Sequence, residues 1–513
     1  MNTSDLTERY AKQIKGVLHC FDRLVLFGTY KTIGWPGAMG RHLQERGVRL
    51  LDYEKGYANA LRLEVAQQVK AVATAEGLAV IQVNAGQRKE ALVEEILARR
   101  GRRDGLVCIL GAMERCRCYK VGKNHVTGFL QLQWSPGKCQ HYYVYFIDAQ
   151  FGLGYLRIPT WAPFRLQAYC NGHDWLERRL KAAGIRFRKA DNCFTHLSDF
   201  AAAQALVAQF DPHELHTMLD GLARRFVSVH DRFGASLHWS VYQAEWATDL
   251  VFKNDQLLPD LYAQIVRTAV VEVGCADIYR FLGKRPNARN SAEVSSRLQT
   301  LVQGTRIKHT VGSTSLKMYD KAGRVLRIEC TTSDISSFTH YRKVEPRRSR
   351  NREVPAGSPV ESKHAPMRKT LYSLPALAEA MQACNQRYLG FISQWPDRTA
   401  ERHVLRTVTA AVRDEKDRSH RGVNFFHDDD LRFLQALLRG EHQISGLRNR
   451  ALQAHLPGWK PAKVGRTLRR FRALGLLKKV AGTRKYYLTK RAMNLLIVGR
   501  QLTERVILPA LAA

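Results

Sequence analysis

No apolar run in the 513-residue sequence is long enough to span a bilayer, and the first residues, MNTSDLTERYAKQIKG, lack the apolar core of a secretory signal. Neither a membrane-embedded nor a secreted protein is expected, and the cytoplasm is the expected compartment. Regular cysteine spacing is missing too. The ten cysteines are scattered, as in reducing compartments where the thiol serves as a small buried hydrophobe, so disulfides are not expected. Without an internal repeat, solenoids and propellers are set aside. The main shortage is negative charge: 46 Asp and Glu face 81 Lys and Arg, a formal charge of +35. Such a field repels itself unless it meets a polyanion. A membrane surface would call for a basic amphipathic anchor or a lipidation site, and the sequence offers neither. Nucleic acid is the expected partner.

What is present fits a soluble multidomain α+β protein, with 45% hydrophobic residues. Residues 1–210 alternate helical stretches (Ala58 to Glu76, Arg88 to Arg100) with strand-like runs (GLVCILGAM, HYYVYFID, LGYLRIP), predicting a mixed α/β domain. Residues 211–343 open with helices and finish in a strand meander, a central α+β domain. Residues 344–370 are rich in Pro, Ser, Arg and Lys and read as a basic linker. A helical segment, 371–420, is broken at Pro396, and a last domain occupies 421–513.

In that last domain Asp428 or Asp429 can cap a helix carrying Leu431, Leu434 and Leu438, with Gly440 past its end. Ser445 caps a short second helix through Leu447 and Ala451 to Leu456. Pro461 opens a third, with Val464, Leu468 and Phe471 on its apolar stripe. LLKKV and KYYLT then form a basic-tipped hairpin. Opposite the stripe, Lys463, Arg466, Arg469 and Arg470 are expected to face the DNA major groove, with Lys478, Arg484 and Lys485 of the hairpin on phosphate. Residues 421–513 hold 19 Lys and Arg against 5 Asp and Glu, which concentrates charge where double-stranded DNA would lie. The order of elements resembles the winged-helix domain of MarR-type transcription regulators. The apolar segment from Arg491 to Leu508, with Leu495, Leu502 and Val506, fits either a homodimer contact or packing on its own domain.

The central segment carries chemistry. In TSLKMYDKAGRVLRIECTT two strands flank a turn at Ala322-Gly323-Arg324, and a three-residue loop pairs Lys321 with Val325, Tyr319 with Arg327 and Lys317 with Glu329. Lys317, Tyr319, Lys321, Arg327 and Glu329 then share one face, while Leu316, Met318, Leu326, Ile328 and Cys330 share the other. A tyrosine between lysines, with a carboxylate diagonally across, suits DNA nicking: the phenolate attacks phosphorus while the carboxylate holds Mg2+ or Mn2+. The segment resembles the YNK or YDK followed by R-x-E of rolling-circle replication initiators, which implies Tyr319 as nucleophile and Glu329 as metal ligand. None of the 18 histidines forms a His-apolar-His pair, so the metal would rest on carboxylates. Glu245 and Asp249, in HWSVYQAEWATDLVF, are the nearest further candidates. They can share one ion only if that segment is helical, and it reads as strand.

In the first 210 residues, Cys116, Cys118, Cys139 and His141 form two close pairs of soft ligands, but their one-residue spacers are not those of zinc sites, and zinc is not expected. Asp22 and Asp148 end apolar runs, where a nuclease could place metal-binding carboxylates and where turn-forming aspartates also occur. Phe164-Arg165, Tyr169 and Asn171-Gly172-His173 interleave aromatic and polar groups suited to unpaired bases. CFDRLVLFGT, YFIDAQFGLGYLRIPTWAPFRLQAYCNGHDWL and GTRIKHTVGSTSLKMYDKAGRVLRIE resemble a multi-copy bacterial family with a MarR-like tail, which implies a mobile-element role and supplies no site residues. The expectation is a mobile-element protein, transposase-like or initiator-like, that cleaves DNA metal-dependently. The competing expectation is a non-enzymatic regulator binding DNA or a structured or guide RNA.

Overall fold

A sixteen-residue strand, β1 (Ile14–Thr29, IKGVLHCFDRLVLFGT), organises the fold. Its Val, Leu and Phe side chains suit a pleated surface covered on both faces. In a computed structural model of the chain, the residues described are 6–84, 86–234, 237–284, 294–301, 304–344, 361–393, 407–437, 446–489, 492, 493 and 495. After β1 come β2 (Val80–Gln82), β3 (Gly105–Lys123), β4 (Leu130–Asp148), β5 (Gly152–Pro159) and β6 (Leu166–Asn171). A separate hairpin, β7 (Phe187–Ala190) with β8 (Cys193–Leu197), precedes β9 (His238–Phe252) and a meander of β10 (Val294–Leu301), β11 (Gly304–Val311), β12 (Thr314–Lys321) and β13 (Val325–Thr332).

Eleven of these strands form one sheet in the order β10-β11-β12-β13-β9-β1-β6-β5-β4-β3-β2. Neighbours are antiparallel except β2 and β3. The fold is α+β, its helices packed around a mainly antiparallel sheet. The boundary expected at 210/211 runs through this sheet, because β9 pairs with β1 along nearly its whole length, from Ile14 opposite Phe252 to Thr29 opposite His238. Leu6–Tyr262 and Cys275–Leu389 therefore make one compact body. The expected basic linker also contains order: Glu361–Pro366 pairs with Thr339–Val344. Residues 345–360 and Pro396 lie outside the described residues.

Two local features position the site. The β1–β9 register shifts between Phe21 and Arg23, a bulge that re-aims the residue between them, Asp22. Opposite, a Cβ on Gly172 would lie 2.0 Å from the carbonyl oxygen of Phe21, so only glycine lets the helix Gly172–Ala182 start this close to β1. Asn171 caps that helix by accepting from the backbone N–H of His173 and Asp174, which presents His173 to the bulge.

The second body includes residues from Gly390 onward. Its helices Asp428–Leu437, Asn449–Gln453 and Pro461–Ala473 are followed by paired strands Leu477–Lys479 and Tyr486–Leu488. Phe433, Leu437, Leu452, Val464, Leu468 and Phe471 fill its core. The middle helix starts at Asn449, after an extended Arg448, later than the cap expected at Ser445. Ser445, Leu438, Gly440 and most of the segment 491–508 lie outside the described residues.

Candidate metal and nucleophile site

The β12–β13 register is Lys321 opposite Val325, Tyr319 opposite Arg327 and Lys317 opposite Glu329, as the alternation predicts. A left-handed Ala322 and Gly323, φ 55° and 64°, make the turn. Leu316, Met318, Leu326, Ile328 and Cys330 are fully buried. The polar face is covered as well: Arg327 is 0% and Glu329 2% exposed. β13 continues the face onto β9, where Thr331 opposes Glu245 and Arg327 opposes Asp249. β9 continues it onto β1, where Arg23 opposes Glu245.

Asp22, Glu245 and Glu329 meet there. Each offers an oxygen within 4.8 Å of the others, and all three are buried. Adjacent ligands of an octahedral ion at about 2.0–2.1 Å lie about 3 Å apart and opposite ones about 4 Å, so the three carboxylates would close inward to hold one hard cation. Among the described residues this is the one such grouping of His, Cys, Asp and Glu. Lys317 reaches both glutamates, with Nζ 2.5 Å from Glu329 Oε1 and 3.5 Å from Glu245 Oε1. Burial, then the charge of Glu329, raises the carboxyl of Glu245 above its ordinary range. Two crowded carboxylates of this kind suit a divalent cation, since metal binding removes the repulsion that favours protonation.

Tyr319, half-buried, donates its hydroxyl to Glu329 Oε2 at 2.7 Å. Burial, then the charge of Glu329, pushes the phenol well above its usual value. The phenol therefore stays protonated near neutrality.

Beneath lies a second network that sequence reading missed. Arg327 donates to both oxygens of Asp249, each at 2.6 Å, and to the carbonyl of Asn192 at 2.7 Å. Its Nη2 also lies 3.0 Å from His173 Nε2, and the other ring nitrogen is Nδ1. That nitrogen lies 3.0 Å from Asp22 Oδ1, and Asn192 Nδ2 donates to the same oxygen at 2.6 Å. Asp249 is thus occupied as the partner of Arg327, and Asp22, re-aimed by the bulge, stands in the trio where Asp249 was expected. Burial opposes the charge of Asp249, but Arg327 outweighs it and holds the carboxyl at about 2. One sequence signal for this network was available: Arg327 falls on an alternating strand opposite an acid-bearing strand, a position where a buried cation needs a carboxylate.

Other expected residues fall elsewhere. Asp148 ends β4 and accepts from the backbone N–H of Gln150 and Phe151, the turn-forming alternative. Phe164 is wholly buried and presents no stacking surface, while Arg165 is exposed and lies 4.0 Å from the ring centre of Phe27. Cys116, Cys118, Cys139 and His141 share a stretch of the β3–β4 ribbon without forming a metal grouping. In the second body Arg466, Arg469, Lys478 and Arg484 are exposed and Lys485 half-buried. Arg470, expected on the groove-facing side, turns inward onto Asp430, which Arg421 also binds. Lys463 pairs with Asp429 at 2.7 Å. Seven positions apart, Lys463 and Arg470 lie on the flank of the apolar stripe, within reach of the first helix's acids.

No helix among the described residues is long and apolar enough to cross a membrane. No protein-family model matches the chain, and no curated protein matches it. Among solved structures it is similar to a rolling-circle replication initiator protein from Geobacillus stearothermophilus. The identity is 10%, over 62% of this chain and 75% of that one, with a TM-score of 0.18. At that score the likeness carries no weight, and the site geometry stands by itself.

Proposed function

We propose that the chain is a metal-dependent DNA strand-cleaving protein in which Tyr319 is the nucleophile. The observation that carries this reading is a tyrosine hydroxyl bonded to one member of a buried carboxylate trio, with Lys317 beside both. The resemblance of LKMYDK and RIE to initiator motifs supports it. In the reaction the phenolic proton passes to solvent, Oη bonds to phosphorus, and the P–O3′ bond breaks. The fragment downstream of the cut stays attached through its 5′ phosphate as a phosphotyrosine, and the 3′ oxygen of the upstream fragment takes a proton from water. Asp22, Glu245 and Glu329 would hold Mg2+ or Mn2+, which when bound neutralises charge developing on the phosphoryl oxygens. Arg327 and His173 fix Asp22, and Lys317 adds a cation at the reacting phosphate.

The second body supplies targeting in this reading. Its helices and hairpin act as a winged helix on double-stranded DNA through Arg466 and Arg469, with Lys478, Arg484 and Lys485 on phosphate. The test is incubation with supercoiled DNA and Mg2+ or Mn2+, scored for nicked circles and a protein–DNA adduct. An adduct lost in Tyr319→Phe supports the mechanism. Metal-dependent cuts that survive that change assign the chemistry to the carboxylates alone. No cleavage of DNA carrying the bound target favours the non-enzymatic regulator.

A further inference from the structure

Three tyrosines stand in register beside the trio. Tyr145 pairs directly with Tyr155 across β4 and β5, and Tyr155 with Tyr169 across β5 and β6. Directly paired residues share a sheet face, and successive ring centres lie 5.4 Å apart in both contacts. On β1, Val25 pairs with Tyr169, and Arg23 pairs with both Asn171 and Glu245. The aromatic row therefore runs along one face of the sheet and joins the carboxylates at Arg23. The guanidinium of Arg23 lies 5.6 Å from the ring centre of Tyr169 and interacts electrostatically with Glu245, Tyr169, Asp22 and Tyr155.

Over this row lies a groove of about 540 Å3, walled on its other side by the helix Lys89–Arg100. Tyr155 and Tyr169 are half-buried, and Glu90 and Glu94 on the helix are exposed. Lys189, at the groove's edge, is already paired with Asp174 and Glu177. The chemistry varies along the groove: phenol rings with carboxylates on the helix wall, and the guanidiniums of Arg23, at the trio, and of Arg102, which also lines it. Carboxylates repel phosphate and accept from amino groups, so the aromatic part suits an uncharged planar heterocycle bearing N–H donors, while Arg23 suits the phosphate attached to it.

We infer that this groove holds an unpaired nucleobase of the strand being cut, adjoining the phosphate addressed by Tyr319. The inference rests on the strand-cleavage reading and adds which part of the fold receives the base.

The test uses the full chain and single-stranded oligonucleotides spanning a mapped cleavage position, with one abasic nucleotide placed at successive flanking positions. One position is expected at which losing the base slows single-turnover cleavage about tenfold, the size of a lost base–aromatic stack. Tyr155→Ala is expected to slow the intact strand similarly, with no further loss on the abasic strand, while Tyr155→Phe behaves as the parent. In parallel, 2-aminopurine at that position is expected to be quenched on binding to Tyr319→Phe protein, and not when Tyr155→Ala is added. Cleavage indifferent to every abasic position, or losses that multiply, would overturn the inference while leaving strand cleavage intact. If no strand is cut, the cleavage reading fails, and 2-aminopurine moved along the strand still tests the groove as a base-binding site: quenching lost with Tyr155→Ala keeps base binding alone, and its absence sinks that too.

Discussion

Tyr319 and Glu329 sit diagonally on paired strands, the phenol hydrogen directed at Oε2 across 2.7 Å. Phenylalanine at 319 keeps the ring's packing and removes this one bond, so stability should fall by about 1 kcal/mol. Strand cleavage should drop by at least about a hundredfold, since no side-chain oxygen remains to attack. Denaturant unfolding and mass spectrometry for a phosphotyrosyl adduct read the two effects separately. A folded variant that still forms the adduct would remove Tyr319 from the mechanism.

Lys317 occupies the carboxylate oxygens that a metal would use. Lys317→Met should therefore tighten Mn2+ binding about tenfold or more, as one like charge leaves the ion's surroundings. The same change should slow cleavage, because the reacting phosphate loses a cation. Mn2+ titration followed by electron paramagnetic resonance and single-turnover cleavage should move in opposite directions.

Glu245 is raised by burial and by Glu329, so it holds its proton at higher pH than an ordinary glutamate. Metal binding must displace that proton, and affinity should rise with pH through a range above the usual carboxylate value. Glu245→Gln should flatten the pH dependence and weaken binding throughout. Calorimetric titration at several pH values tests this, and a parent profile already flat would contradict it.

The Arg327 guanidinium holds Asp249 at about 2 in the fold, below the 3.8 of an ordinary aspartate. The folded value is depressed, so the stabilisation is complete above pH 4 and lost as pH falls through 2, about 2 kcal/mol in all. Arg327→Met strands Asp249 without a partner and should cost about 3–5 kcal/mol at neutral pH. Acid and urea unfolding followed by circular dichroism gives both numbers.

On the third helix of the second body the arginines should divide by role. Arg466→Ala and Arg469→Ala should each weaken duplex binding and lower its salt slope by about one. Arg470→Ala leaves buried Asp430 with Arg421 as its one arginine partner among the described residues and should lower the unfolding midpoint of the domain. Equal effects of all three on binding, with stability unchanged, would refute the division.

The hairpin was legible because its alternation has period two and a one-residue slip would bury lysine and expose leucine. The strand character of His238–Phe252 was legible as well. The trio was not. Asp22 gains its direction from a bulge that depends on pairing with a strand over 200 residues later, and no local pattern announces that. Glu245 and Glu329 were identifiable individually, but their meeting with Asp22 is a fact of sheet order. Arg470 misled because helical periodicity ranks a flank position with the solvent face, and only the acids of the neighbouring helix distinguish them.

The β1–β9 seam has a consequence for how the site comes into being. Asp22 is translated more than three hundred residues before Glu329, and the two meet only after β9 and β13 have docked. A chain interrupted after residue 210 carries one member of the trio, and the complementary fragment carries the other two. Neither piece holds a metal grouping of its own, so fragments separated at that point are expected to cut only if they find each other and rebuild the sheet.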